Sequence, residues 1–217
     1  MFGKPADTLG GKLKPPPWLK QKMDSTILQW FTGDPVRFGF PKPDYKMYES
    51  HPVVNSLILH HLGHGDIHVK ADVQRLDGET VHFKDGTQAD YDLILAATGY
   101  KLHYPFLDHA LLNWQGMAPR LYLNIFAPRY DRLAVLGMVE ASGIGWQGRY
   151  EQAELVARQF KALDDGAAAA KALTAAKAGP PPDLSGGYKY LKLERMAYYV
   201  HKDTYRAAVR KAAEALG

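Results

Sequence analysis

Apolar positions along this chain repeat with a helical period in some stretches, alternate in others and run together in a few. Leu19, Met23, Ile27 and Trp30 recur near helical spacing, which predicts a helix over Trp18–Phe31. Around it the first fifty residues read as irregular. Pro15, Pro16 and Pro17 forbid helix locally, and Gly33, Pro35, Gly39, Pro41 and Pro43 break the chain afterwards. Pro52–Leu62 reads as a second helix, with Pro52 suited to a first turn and Gly63 to a stop. The period then switches to two. Ile67, Val69, Ala71 and Val73 alternate with polar residues as a strand. Asp77-Gly78 turns the chain into Val81–Phe83, and Asp85-Gly86 turns it into Leu93–Ala97, which together predict a β-meander. Leu93–Ala97 is continuously apolar, the pattern of a strand buried on both faces.

Beyond an irregular stretch to Arg120, Leu121–Phe126 and Leu133–Leu136 read as two further strands. A glycine-rich passage, Ser142-Gly143-Ile144-Gly145, leads into a long helix from about Gln147 to Leu163. Ala167–Ala178 is helical by its alanine content and stops at Gly179 and Pro180–Pro182. The last predicted helix runs from about Tyr188 to Leu216. The chain contains no internal repeat.

Composition narrows the class. The 217 residues suit one large domain or two small ones, and 46% hydrophobic with 23% charged residues is ordinary for a folded protein. With no cysteine there is no disulfide framework, zinc finger, iron–sulfur cluster or thiol nucleophile. No apolar run approaches the ~20 residues of a membrane span, and the first residues lack the apolar core of a secretory signal. The expectation is therefore a soluble cytoplasmic protein. The net charge of +4 is uneven. Residues 1–46 hold eight Lys/Arg against four acids, and residues 166–217 hold nine against four. These basic residues are scattered and accompany no nucleic-acid motif, so they read as solvated surface, and no nucleic acid is expected as a partner.

Two passages carry candidate ligand chemistry. Thr98, Gly99 and Tyr100 follow an apolar strand and would present a hydroxyl and backbone amides at the carboxyl edge of a sheet, where nucleotides bind in open α/β folds. Alone, the pattern reads better as an ordinary strand-end turn. Ser142, Gly143, Ile144, Gly145, Trp146 and Gln147 lead into a helix whose free N–H groups and positive end favour an anion or an electron-rich carbonyl. Alone, it is equally a flexible connector. Gly143-x-Gly145-x-x-Gly148 spells a dinucleotide fingerprint, but no βαβ unit with a ribose-binding acid follows it. His60, His61, His64, Asp66 and His68 cluster in sequence. They read as a polar helix end, because no His-Glu-x-x-His pattern accompanies them and Gly63 and Gly65 interrupt the helix. No P-loop and no Gly-x-Ser-x-Gly elbow occur.

The order of weak signals is more specific than any one of them. His51-Pro52-Val53-Val54-Asn55 is followed by Ile67-His68-Val69-Lys70 and by the Asp85-Gly86-Thr87 turn. Then come Asp92-Leu93-Ile94-Leu95-Ala96-Ala97-Thr98-Gly99-Tyr100, Pro105-Phe106-Leu107, Leu121–Phe126, Leu133–Gly137 and the helix with Gln152-Ala153. Over about residues 45–165 this resembles the carboxyl-terminal half of the flavin-containing monooxygenases, in particular their bacterial relatives. The resemblance implies an α/β fold with two dinucleotide-binding (Rossmann-like) domains, one for FAD and one for NADPH. Residues 1–95 would be the end of the NADPH-binding domain. Residues 96–217 would be the return into the FAD-binding domain with carboxyl-terminal helices. It further implies FAD and NADPH as cofactors, with a small nucleophilic substrate and O2 as partners. A C4a-hydroperoxyflavin would oxygenate a soft nitrogen or sulfur centre. Thr98, Gly99, Tyr100, Ser142, Gly143, Ile144, Gly145, Trp146 and Gln147 would be cofactor contacts; no acid–base residue is singled out.

The departures from the family pattern matter as much. The two glycine-rich turns that hold FAD and NADPH phosphates are absent, as is the family's Phe-x-Gly-x-x-x-His signature between them. Glu140 stands where many relatives carry Gln. The expectation is therefore half of an enzyme, partnered by a missing amino-terminal half or by a second copy. A non-catalytic interaction subunit on the same scaffold, and a Baeyer–Villiger or N-hydroxylating monooxygenase, are the alternatives.

Overall fold

The computed structural model describes residues 15–51, 55 and 57–217. Chain contacts separate two units, one of residues 21–47 and 53–99, the other of residues up to 20, 48–52 and 100–217. Helix α1, Pro17–Thr32, agrees within a residue with its prediction. Pro17 sits at its first position, where a missing N–H costs nothing, and Gly33, at a φ of 74°, ends it. The predicted apolar stripe is not buried, however. The buried side chain of α1 is Gln21, whose Nε2 donates to the Met47 carbonyl at 2.8 Å.

In the smaller unit, α2 spans Leu57–His64. The predicted Pro52 start lies outside the described residues. The helix runs through Gly63, and the stop falls at Gly65, whose φ of 82° is open to a residue without a Cβ. Strands β1 (Val73–Asp77), β2 (Thr80–Phe83) and β3 (Gln88–Asp90) form an antiparallel meander in that order. Gly78 and Gly86 take positive φ at the two Asp-Gly turns, as predicted. Asp85 Oδ1 closes the second turn by accepting from Thr87 N at 2.9 Å.

The ends of the meander differ from the prediction. Residues 67–72 are not a strand, and the third strand is Gln88–Asp90 instead of Leu93–Ala97. Leu93 and Leu95 are 82% and 85% exposed, where burial on both faces was predicted. A continuously apolar strand is buried only when it has neighbours on both edges and a layer on both faces. Among the described residues this run has no strand partner.

The larger unit holds most of the core. A 3₁₀ turn at His109–Leu112 and a two-residue hairpin, β4 (Trp114–Gln115) with β5 (Ala118–Pro119), occupy the stretch read as irregular. Leu121–Phe126 is not a strand either. Leu123 and Asn124 are left-handed (φ 54° and 55°), and the run folds back so that Tyr122 N–H donates to Phe126 O and Phe126 N–H to Tyr122 O, both at 3.0 Å. The fold-back lets Leu121, Leu123, Ile125, Phe126 and Ala127 all be buried, which an alternating strand could not do. Leu133–Leu136 contributes an isolated bridge from Ala134 to Phe126.

Helices α3 (Gly145–Asp164) and α4 (Ala168–Ala178) match their predictions closely. The predicted helix from Tyr188 is helical only as α5, Lys202–Glu214; residues 188–201 are irregular around a 3₁₀ turn at Glu194–Met196. That segment spends its backbone groups elsewhere. Leu191 N–H donates to Glu49 O at 2.8 Å, and Val200 N–H to Glu140 O at 2.9 Å. One core cluster joins Leu123, Ile125, Phe126, Val139, Ile144 and Leu155 to Val200, Tyr205 and Val209. Through its middle runs a buried polar chain. Gln152 Oε1 accepts from Gly137 N at 2.9 Å, Gln152 Nε2 donates to the Tyr205 hydroxyl at 2.5 Å, and that hydroxyl donates to Leu123 O at 2.9 Å. Every member is satisfied, which is the condition for a polar network to hold a core together.

Candidate cofactor-contact site

The glycine loop, residues 142–147, belongs to the larger unit and leads straight into α3. Gly143 and Gly145 have φ of 73° and 54°, a backbone that side-chain-bearing residues rarely adopt. A Cβ placed on Gly145 would meet nothing within 4 Å, so the loop's outer side is open. Its inner side is fixed. Ile144 stands at the helix cap and is buried in the core cluster. Gly148 packs on it so closely that an added Cβ would lie 2.4 Å from Ile144 Cγ1.

Electrostatically, the amino end of α3 is open. Ile144 offers no side-chain cap, and the first turn carries no acid. The N–H groups of the exposed residues 145–147, at the partly positive end of the helix, therefore have no side-chain acceptor among the described residues. Trp146 is 86% exposed on this first turn, with the Arg149 guanidinium 5.8 Å from its ring. Arg149 also donates to Gly145 O at 2.9 Å. Gln147 reaches back toward Glu151, its Nε2 donating to Oε1 across a long 3.5 Å.

The other predicted contacts are divided between the units. Thr98 and Gly99 are exposed residues of the smaller unit, following the exposed apolar run. Tyr100 is in the larger unit and fully exposed. Side-chain burial thus gives Tyr100 and Trp146 no packing role in their own units.

Sequence reasoning passed over a group of residues beside the loop. The Glu140 and Tyr199 backbones form a parallel bridge. His51 Nδ1 lies 3.2 Å from the Tyr199 hydroxyl and 3.8 Å from Glu140 Oε1. Burial pushes the Tyr199 hydroxyl's pKa up, against the Ser142 backbone amide, which favours its ionised form. On the next turn of α3, buried Glu151 accepts from Arg206 (2.9 and 2.6 Å) and from Arg210 (3.0 and 2.6 Å). Those guanidiniums, Arg206 first, hold its carboxyl down at about 2. Nothing in the sequence announced these pairs, which join residues up to 148 positions apart.

The histidine cluster serves its own helix. His61 Nδ1 pairs with Asp66 at 3.0 Å, and His64 Nδ1 approaches His60 O at 2.9 Å. Among the described residues no group of His, Asp and Glu is arranged to hold a metal ion. No helix among them is long and apolar enough to cross a membrane.

A dinucleotide cradle sits between a sheet strand and a helix that returns to a second strand. Here the described residues between β5 and the loop form isolated bridges, and α3 is followed by α4. The comparisons with known proteins give the family of the chain. The family model FMO-like, described as flavin-binding monooxygenase-like, matches residues 11–178. Dimethylaniline monooxygenase (N-oxide-forming) 2 of Rattus norvegicus is 32% identical over 149 residues, covering 67% of this chain and 27% of the relative. Flavin-containing monooxygenase 2 of Homo sapiens is 31% identical over 148 residues, with the same two coverages. Flavin-containing monooxygenase 3 of Rattus norvegicus is 27% identical over 135 residues, covering 58% and 25%. The chain belongs to the flavin-binding monooxygenase-like family, whose members are FAD- and NADPH-dependent oxidoreductases. It spans about a quarter of the length of the curated relatives it matches.

Proposed function

We propose that this chain is the carboxyl-terminal portion of an FAD- and NADPH-dependent monooxygenase acting on a soft nitrogen or sulfur centre of a small nucleophile. The observation that carries the reading is the uncapped, outward-facing amino end of α3 behind Gly143 and Gly145. The bound flavin would supply the redox chemistry: two electrons from NADPH and one O2 give one oxygen atom to the substrate and one to water. The chain's own residues would bind and orient. The amides of Gly145, Trp146 and Gln147 would meet the ring's pyrimidine edge, where electron density rises on reduction, and the helix end would stabilise it. Trp146 would lie against the ring or substrate as an apolar wall, and Thr98, Gly99 and Tyr100 would contact the nucleotides. Residues 1–95 would close the NADPH-binding domain and residues 96–217 the FAD-binding domain. A relative named for N-oxide formation on dimethylaniline supports nitrogen as the acceptor.

The visible spectrum of the purified chain tests the reading, taken after adding FAD and removing free dye by gel filtration. Retained absorbance near ~450 nm, the cofactor's own band, with loss of that band in Gly145→Val, is the expected result. A band that Gly145→Val leaves unchanged would place the flavin elsewhere. A second reading is a scaffold without catalysis of its own, completed by another polypeptide. The exposure of Leu93, Ile94 and Leu95 favours it, since those side chains are suited to a partner strand. A colourless chain that gains flavin only when mixed with an amino-terminal partner would support that reading.

A further inference from the structure

The family match ends at residue 178, the last residue of α4, yet residues 188–214 hold both sides of the glycine loop. On the near side, Glu140 N–H donates to Tyr198 O at 3.3 Å and Val200 N–H to Glu140 O at 2.9 Å, two residues before Ser142. Asn124 Nδ2 donates to Tyr198 O at 3.2 Å. The Tyr199 hydroxyl is 3.2 Å from His51 Nδ1, and its ring packs edge-on against Tyr190 at 4.9 Å. From below, Ile144 is buried in one cluster with Val200, Tyr205 and Val209. On the far side, α5 presents Arg206 and Arg210 to one carboxylate, Glu151, whose Oε1 also accepts from Gln147.

The two sides differ in kind. The near side is backbone pairing and apolar packing, which any folded state of this unit needs. The far side is a single buried acid receiving four guanidinium hydrogen bonds, one turn beyond the loop's last residue. Burying a carboxylate this fully is costly without such pairing. An apolar residue would satisfy α3–α5 packing alone. Glu151 instead connects α5 to the side chain of Gln147, on the first turn of α3. We propose that residues 188–214 act as an intramolecular brace on the glycine loop, with Glu151 as the positioning residue through which Arg206 and Arg210 set the conformation of Gln147 and the first turn of α3. The meaning of that turn as a flavin contact rests on the function proposed above; the brace itself does not.

Residue-resolved amide hydrogen exchange on the full chain tests it, read beside the NMR signal of the Trp146 indole N–H, which Trp146→Phe assigns. Glu151→Gln keeps the shape and removes the charge. Exchange at residues 148–150, the first amides of α3 that have a backbone acceptor, is expected to quicken by about tenfold while Leu155 and Val209 change by less than about twofold, the mark of local rather than global opening. The Trp146 indole signal is expected to move. Arg210→Gln, which leaves Arg206 in place, is expected to give the same selective pattern at about threefold, and it serves if Glu151→Gln does not fold. Equal quickening along α3 and α5, or no change at 148–150 in a folded variant, would overturn the brace. Adding FAD to the wild-type chain separates the two ideas. If Glu151→Gln loosens the turn but FAD leaves the signals of 143–147 unmoved, the brace stands and the flavin reading of the loop falls.

Discussion

Leu93–Ala97 and Leu121–Phe126 are apolar runs of similar length with opposite fates. The first, in the smaller unit, is exposed and unpaired among the described residues. The second, in the larger unit, is almost wholly buried, though it too is no strand. The difference lies in what surrounds them. Leu121–Phe126 doubles back on itself through two left-handed residues and satisfies its own N–H groups at Tyr122 and Phe126. It then meets α3, α5 and the Val200 segment in one cluster. Leu93–Ala97 follows a three-residue edge strand and meets no such layer. Apolar sequence states a demand for burial; the neighbouring elements decide whether it is met.

The largest expected effect sharpens that contrast. Phe126→Ala removes a ring that is fully buried in the larger core, and is expected to cost about 3–5 kcal/mol. Leu95→Ala in the other run is expected to stay within about 0.5 kcal/mol. Urea unfolding of both variants checks the pair. Comparable losses would mean that Leu95 is buried in solution and that the two runs do not differ.

Glu151 is next in size. Its carboxyl titrates at about 2 in the folded chain against an ordinary 4.5. A carboxyl with a depressed folded pKa contributes stability above its unfolded value and loses it as pH falls through the folded one. Glu151→Gln is therefore expected to destabilise by about 2 kcal/mol at neutral pH, with the gap to wild type narrowing from near pH 4.5 and closing near pH 2. Denaturant midpoints across that range check it. A gap independent of pH would assign the loss to packing and deny the guanidinium pairing its role.

Gly148→Ala comes third. Alanine is worth up to about 1 kcal/mol more than glycine inside a helix. Here its Cβ would press on Ile144 at 2.4 Å, and Ile144 is held by the core. The net expectation is a loss of about 1–2 kcal/mol, because overpacking a fixed side chain outweighs the propensity gain. A thermal scan that found Gly148→Ala stabilised would show that Ile144 is free to move and that the glycine loop is not anchored from below.

How far the sequence could be read follows the range of the interactions. Local signals carried well: α1, α3 and α4, the Gly78 and Gly86 turns, and the glycine loop itself rest on residues within a turn of each other. Signals that depend on distant chain did not carry. Residues 188–201 contain residues compatible with helix, but Leu191 and Val200 give their N–H groups to Glu49 and Glu140 instead. In the fold-back of Leu121–Phe126, left-handed Leu123 gives its carbonyl to the Tyr205 hydroxyl, 82 positions away. In the candidate site the same rule holds. The loop was legible from its glycines, whereas His51, Tyr199, Arg206 and Arg210 were not, since only tertiary contact brings them near it. Family resemblance was legible from the order of short motifs, an arrangement that periodicity alone does not register.

The smallest effect on stability comes from the exposed run, and it tests the comparison from the other side. If Leu93, Ile94 and Leu95 are exposed, a charge there costs almost nothing in folding. Leu95→Asp is expected to shift the urea midpoint by no more than about 0.5 kcal/mol. The solution behaviour should change more. Three consecutive exposed aliphatic side chains, with no strand partner among the described residues, form an edge on which copies can pair. The wild-type chain is therefore expected to gain apparent mass with concentration in sedimentation velocity, and Leu95→Asp to lower that gain. Asp in place of the buried Ile125 would unfold the larger unit outright, so the same substitution separates the two runs by kind of outcome. Sedimentation that is independent of concentration in both proteins would show that exposure at Leu95 creates no adhesive edge.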